Sequence, residues 1–311
     1  MSLSPLLSQL DAERAAILDR AAASVLSVET QRARQSAFVW RGGLIVTAAE
    51  PLEGAESVRL VQESAAHEAE VLACDLRTDI AVIRCGASAS PALAPAATPP
   101  RAGQTVVVAG RAASQLTASW GSVQLSAGPW TTRRGATLAR RLLLDVRLGN
   151  FAEGAPVLDL EGGVIAMAVR GPANQVIGIP IEALEAAVGD VAAHGHIAHG
   201  YLGVRVVPLA LGLQARHRLN AGRAVLVVAD VAQPSPAFEA GLEIGDLVLA
   251  IDGAAVQTPD RLLGHIHGKR PGEPLSVPRR RGTAVDELDQ FALTWRERAE
   301  PGCWHGPDSR G

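Results

Sequence analysis

The feature that most constrains this 311-residue chain is a succession of short β-type runs with Gly, Pro or Asp in nearly every gap. SVLSVET, AFVWRGGLIVTAA, SVRLVQ, HEAEVLACD and DIAVIRC precede a Pro/Ala-rich segment, Ser88–Arg101 (SASPALAPAATPPR). QTVVVAG, GSVQLSA, RRLLLDV, GGVIAMAV and VIGIPI follow it. Many short strands at regular spacing argue for a sandwich or barrel, because each strand must alternate faces between a core and solvent. The Pro/Ala strap cannot continue a sheet and divides the runs into two halves.

The length exceeds what one hydrophobic core supports, so a further domain is expected. Hydrophobic residues make up 48% and charged ones 20%, which supplies ample core material. Aromatics are only 3%, so Val, Leu, Ile and Ala must fill the cores. A net charge of −3 offers no bulk attraction for nucleic acid or an anionic membrane. No run approaches the ~18 apolar residues of a membrane span. The N-terminus lacks an early Lys or Arg and is broken by Asp11, Glu13 and Arg14, unlike a signal peptide, so a cytoplasmic location is expected. Cys74, Cys85 and Cys303 are sparse, odd in number and without metal-ligand spacing, and read as reduced thiols.

Residues 4–26 place Leu6, Leu7, Leu10, Ala15, Ile17, Leu18 and Ala22 at mixed three- and four-residue spacings, an amphipathic helix that packs on the first domain or in an oligomer contact. Glu182–Val188 reads as a short helix, followed by a polar connector, HGHIAHG. His194, His196 and His199 within it have a spacing that can suit a transition metal, but the bland reading, a solvated hinge, is preferred. The run Arg279, Arg280, Arg281, with Lys269 and Arg270, gives the C-terminal third a basic character. It reads as a solvated loop between two strands rather than a nucleic-acid contact.

The segment Gly149–Leu160 (GNFAEGAPVLDL), between LLLDVRL and EGGVIAMAV, resembles the nucleophile loop of trypsin-like serine proteases of the HtrA (Deg) family. Asp145, Gly149, Gly154, Pro156 and Asp159 match that family's phrase in register. The resemblance, which spans residues 33–297, implies a mainly β fold: a trypsin-like double antiparallel β-barrel followed by a PDZ domain (α+β), with a short N-terminal helix. The expected layout is helix 1–26, barrels 27–190, linker 191–199, PDZ domain 200–297 and a disordered tail 298–311.

Serine proteolysis needs a hydroxyl nucleophile, an imidazole base, an orienting carboxylate and an oxyanion hole of N–H groups. By resemblance, Thr47-Ala48-Ala49-Glu50 ends at the base position, which is Glu50. Thr78-Asp79-Ile80-Ala81-Val82 keeps the carboxylate as Asp79, the nucleophile position is Glu153, and the oxyanion-hole glycine is Phe151. His67 is the only histidine before the connector, and Ser119, Ser122 and Ser126 have no base beside them. The expectation is therefore a proteolytically inactive homologue, not an enzyme, with no metal and no cofactor. The alternatives kept open are an enzyme or metal binder using Glu50, Asp79 and Glu153 as a carboxylate cluster, and a residual serine endopeptidase.

Tyr201-Leu202-Gly203-Val204, Ser235-Pro236-Ala237, Ala240-Gly241-Leu242, Gly245-Asp246 and Ile251-Asp252-Gly253 resemble the PDZ domain of the same family. That resemblance implies that N–H groups around Tyr201, Leu202, Gly203 and Val204 hold a peptide's terminal carboxylate. Leu262, Leu263 and Ile266 would form an apolar pocket for its last side chain. The expected partners are protein or peptide C-termini, with homo-oligomerisation or assembly with an active HtrA relative. A scaffold, chaperone or assembly role follows.

Overall fold

A computed structural model describes residues 4–31, 33–63, 65–86, 90–132, 134, 136–197, 202–219, 222–267 and 275–281. The tail from 298 and Tyr201, His199, Lys269 and Arg270 lie outside the described residues. The chain divides into two compact units: the described residues up to Trp130 and Leu138–Ile197 form the first, and those from 198 onward, with the short stretch Thr131–Thr137, group as the second.

The first unit opens with helix α1 (Ser4–Ala22). Strands β1 (Val25–Glu29), β2 (Arg34–Val39), β3 (Leu44–Thr47), β4 (Ser57–Gln62), β5 (Ala65–Asp75) and β6 (Ile80–Arg84) close into a barrel in the order β1-β2-β3-β6-β5-β4. Then come β7 (Thr105–Ala112) and β8 (Gln115–Ala127), a two-stranded ribbon of β9 (Trp130–Thr131) and β10 (Thr137–Leu138), and β11 (Arg141–Asp145). With β12 (Pro156–Leu158), β13 (Val164–Arg170) and β14 (Val176–Pro180) they close a second barrel, β11-β14-β13-β12-β7-β8. The mainly β fold agrees with the short punctuated runs, and its two six-stranded barrels are those the resemblance implied.

Alternation along the strands sends one side inward, while the other meets solvent, as on β4, or the neighbouring barrel where the two adjoin. Leu26, Val28, Val39, Ile45, Val58, Leu60 and Ile83 fill the first barrel, and Val106, Val108, Leu142, Val157 and Ile165 the second. Phe38, Trp40 and Val46 from one barrel meet Val107, Leu158 and Met167 from the other in a shared core. The Pro/Ala strap is pinned across that seam: Leu93 donates its N–H to Val39 O, while Ala96 N–H and Val164 N–H exchange bonds with Val164 O and Ala94 O.

Two helices differ from the sequence expectation. Helix α1 stops at Ala22, and Val25 and Leu26 belong to β1. Only its C-terminal half is anchored, through buried Ile17 and Ala21, whereas Leu6, Leu7 and Leu10 are exposed. Helix α2 spans Ile181–His194 and not just 182–188, with Leu184, Ala187, Val188 and Val191 buried and Gly195 closing it at φ 81°. The longer helix follows from Val191 continuing the apolar stripe, and Gly195 is the natural C-terminal stop.

The second unit contains β15 (Val204–Ala210), α3 (Leu213–Leu219), β16 (Ala224–Val231), α4 (Pro236–Glu239), β17 (Leu247–Val248), β18 (Ala250–Ile251), β19 (Ala254–Ala255), α5 (Pro259–His267) and β20 (Arg279–Arg280). Its sheet order is β15-β16-β17-β20, which among the described residues leaves β15 at an edge. Thr258 caps α5, accepting the Arg261 N–H at 3.3 Å ahead of Pro259, and Gly241 and Gly245 take positive φ, as the residue types suggest.

The run Arg279–Arg281 is not the solvated loop expected. Arg279 and Arg280 form β20 against β17, and Arg281 makes paired bonds of 2.8 and 2.9 Å to Asp246, which is 1% exposed. Arg279 and Arg281 also donate to Gly241 O. A buried carboxylate needs such partners, and the planar guanidinium satisfies both of its oxygens at once. No helix among the described residues is long and apolar enough to cross a membrane.

Candidate functional site

The site lies where the ends of β3 and β6 meet the loop between β11 and β12. After β3, Ala48 and Ala49 are fully buried, and Glu50 begins a one-turn 3₁₀ segment with Pro51, projecting outward. Asp79, immediately before β6, sits at φ 58°, a left-handed conformation that Asp tolerates better than most residues. Its Oδ1 accepts the Ala49 and Glu50 N–H groups at 2.9 and 3.0 Å, tying the two positions together. Burial raises the Asp79 carboxyl above its ordinary value. The charges of Glu153 and Glu50 push the same way, and the two N–H groups only partly offset them.

Residues 149–155 cross from the second barrel to the first. Ser36 N–H donates to Glu153 O at 2.9 Å and Ser36 Oγ–H to Phe151 O at 2.5 Å, while Arg111 N–H donates to Ser36 Oγ. Gly154, at φ 77°, is wedged so tightly that a Cβ there would lie 2.4 Å from Ser36 O and from Thr47 Oγ1. Thr47 is itself fixed, donating to Ser36 O and accepting from Gln35 Nε2. The surviving glycine therefore keeps the loop seated on β2 and β3.

The side chains of the loop turn elsewhere. Glu153 Oε1 accepts the Arg170 N–H at 3.1 Å, and its Oε2 lies 3.8 Å from Arg170 Nε. The Phe151 ring is 37% exposed, with the Arg34 guanidinium 6.0 Å from its centre. The three carboxylates share an electrostatic neighbourhood, since Glu50 and Glu153 both act on Asp79. Yet among the described residues no three His, Cys, Asp or Glu side chains form a group that could hold a metal ion. His67 is on β5, paired with Leu60 of β4, and Ser126 Oγ is engaged with Pro100 O. His194 and His196 stand at the end of α2 and just beyond it, their rings 6.3 Å apart.

Arg170 and Ser36 were not singled out in the sequence, although they bond to Glu153 and to the Phe151 carbonyl. Glu153 and Arg170 are 17 residues apart, and Ser36 and Phe151 are 115 apart, so no local pattern connects them.

In the second unit, Gly203 takes φ 77°, and Leu202 O and Gly203 O accept the Ala237 and Ala232 N–H groups. Leu202, Leu262 and Ile266 are buried in the unit's core with Leu226, Val228 and Ile251. Val204 opens β15 half-buried, and the Leu263 side chain lies outside the described set. Along β15, an edge strand among the described residues, Val207 and Leu209 are exposed.

Comparison with known proteins matches residues 35–167 to the trypsin-like peptidase domain and residues 200–289 to the PDZ domain. The putative serine protease HhoB of Synechocystis sp. is 25% identical over 254 residues, covering 77% of this chain and 61% of that protein. The chain thus joins a trypsin-like peptidase domain to a PDZ domain. A probable periplasmic DegP-like serine endoprotease of Halomonas elongata is 27% identical over 258 residues, covering 80% of this chain and 54% of that protein. The chain thus spans less than two thirds of the length of either relative. Among solved structures, the HtrA-type protease AlgW with a decapeptide superposes with a TM-score of 0.64 at 20% identity, covering 90% of this chain and 98% of that one. The serine endoprotease from Yersinia pestis gives 0.64 at 19% identity, covering 90% and 97%. At such identities the superpositions speak for the fold alone.

Proposed function

We propose that this HtrA-type chain does not cleave peptide bonds and acts as a scaffold, chaperone or assembly factor that binds protein segments. The observation that carries the reading is the pair of glutamates at the base and nucleophile positions. Glu50 has no imidazole to take a proton near neutrality, and Glu153 has no hydroxyl to attack a carbonyl. The Glu153 carboxylate is instead engaged with Arg170. The seating of the loop, through Ser36, Thr47 and Gly154, is kept while the reacting groups are changed. In the second unit, the edge that β15 presents among the described residues, beside Leu202, Gly203 and Val204, suits a peptide C-terminus adding as a further strand, and by the resemblance Leu262, Leu263 and Ile266 of α5 would take its last side chain. Self-assembly, or assembly with an active relative, would multiply such contacts.

The test is casein cleavage by the purified chain beside a Glu50→His, Phe151→Gly, Glu153→Ser triple variant. An inert parent with a cutting variant supports the reading. Cleavage by the parent, or its labelling by a fluorophosphonate, sinks it. A second reading, in which Asp79 works as a proton-holding acid among the three carboxylates, draws on its raised titration. Stabilisation of the chain by Ca²⁺, Mg²⁺ or Mn²⁺ in a thermal melt would instead favour a metal site there.

A further inference from the structure

Beside the Glu153 loop the first unit contains an open cavity of about 200 Å³. Its apolar walls are Val146, Leu148 and Val176, the last two buried. Its polar lining is Arg147, Asn150, Arg170 and Asn174: two cations and two amides, with no carboxylate among the lining residues. The Arg170 guanidinium is held in place by weak, long contacts. It donates to Asn174 Oδ1 at 3.2 Å and Gly149 O at 3.5 Å, and its Nε stands 3.8 Å from Glu153 Oε2. None of these matches the 2.7–2.9 Å of a charge-assisted pair, so the donors are oriented without being saturated. Apolar walls beneath a cationic rim suit the short aliphatic stem and charged end of an acidic side chain.

We propose that this cavity is a subsite for an Asp or Glu side chain of a bound, extended protein segment. Glu153 is its internal competitor, because its carboxylate takes the Arg170 N–H and stands by the same guanidinium that an incoming carboxylate would use. The proposal rests on the reading of this cleft as a binding surface and fails separately from it. The casein comparison reports on chemistry, whereas the test below reports on charge.

The test uses two fluorescent heptapeptides that differ only in a central Glu or Gln. Both are blocked as C-terminal amides, so that no terminal carboxylate is offered to the second unit. Anisotropy is measured on the full chain and on Glu153→Gln, which removes the competing charge while keeping an oxygen for the Arg170 N–H. The expected result is that Glu153→Gln binds the Glu peptide about tenfold more tightly than the parent does, in line with one freed charge-assisted contact. The Gln peptide should change little. Adding Arg147→Gln, an exposed position that leaves the strands intact, should erase the preference for Glu, and Arg170→Gln should do the same. Equal binding of the two peptides to Glu153→Gln, a preference that survives both arginine changes, or no measurable binding of either peptide overturns the proposal.

Discussion

Replacing Gly154 with alanine tests how the site's frame is held, and Gly149 in the same loop supplies the control. Gly154 has φ 77°, where a Cβ meets the following carbonyl, at a cost of about 1–2 kcal/mol for an L-residue. The added methyl would also lie 2.4 Å from Ser36 O and Thr47 Oγ1 and 2.8 Å from Ala48 N. It intrudes on the Thr47-to-Ser36 hydrogen bond of 2.7 Å, and two of these three atoms are backbone that cannot swing aside. Overpacking of this kind costs about 1–3 kcal/mol more. The sum, about 2–5 kcal/mol, corresponds to a fall of roughly 4–20 °C in the melting midpoint of a unit this size. At Gly149 a Cβ would meet nothing within 4 Å and φ is not in the left-handed region. Gly149→Ala should therefore stay within about 0.5 kcal/mol of the parent. Calorimetry of both variants decides it. If Gly154→Ala melts with Gly149→Ala, the loop is not seated on β2 and β3 as described.

Three further outcomes are expected. Ile17→Ala, at 3% exposure, should destabilise the first unit by about 2–4 kcal/mol, while Leu7→Ala, at 58%, should leave urea denaturation unchanged; the reverse order would contradict the anchoring of α1 by its C-terminal half. Asp79 titrates above its ordinary value, so the stability it contributes is fully present below the unfolded value and is lost as pH rises through the folded one. Asp79→Asn should thus raise the melting midpoint near neutrality and gain nothing in acid, and carboxyl NMR of Glu153→Gln should show the Asp79 midpoint moved down. Asp246 behaves oppositely: burial raises its carboxyl, but the Arg281 and Glu243 hydrogen bonds and the charges of Arg281 and Arg279 carry it below the usual range. Its stabilisation is present above the unfolded value and lost as pH falls through the folded one, so Arg281→Gln should move acid unfolding of the second unit to higher pH. An unmoved acid transition would rule that pair out as the cause.

The strand runs and the strap were legible because they rest on local rules, and the two-barrel plan because the loop phrases resemble a known family. Alternating Val and Ile runs bounded by Gly, Pro and Asp specify strands, Thr258-Pro259 specifies a helix start, and Gly241 and Gly245 specify turns. The glutamates at 50 and 153 were equally plain as residues, while their assignment to base and nucleophile positions came from the resemblance. The helix limits were less so: Leu6, Leu7 and Leu10 have helical spacing but no neighbour to cover them, and periodicity does not report what lies opposite.

What the Glu153 side chain touches was settled only by the fold. Whether Glu153 would reach toward Asp79 or Arg170 depends on where β13 ends relative to the loop, a relation between residues joined by barrel closure and not by sequence spacing. The same holds for the arginine run, whose charge suggested solvent until Asp246, 35 residues away, placed a buried carboxylate opposite Arg281. Strands and turns follow from short-range sterics, which each short stretch of residues carries with it. Charge pairing and burial depend on distances that exist only after the chain has closed on itself.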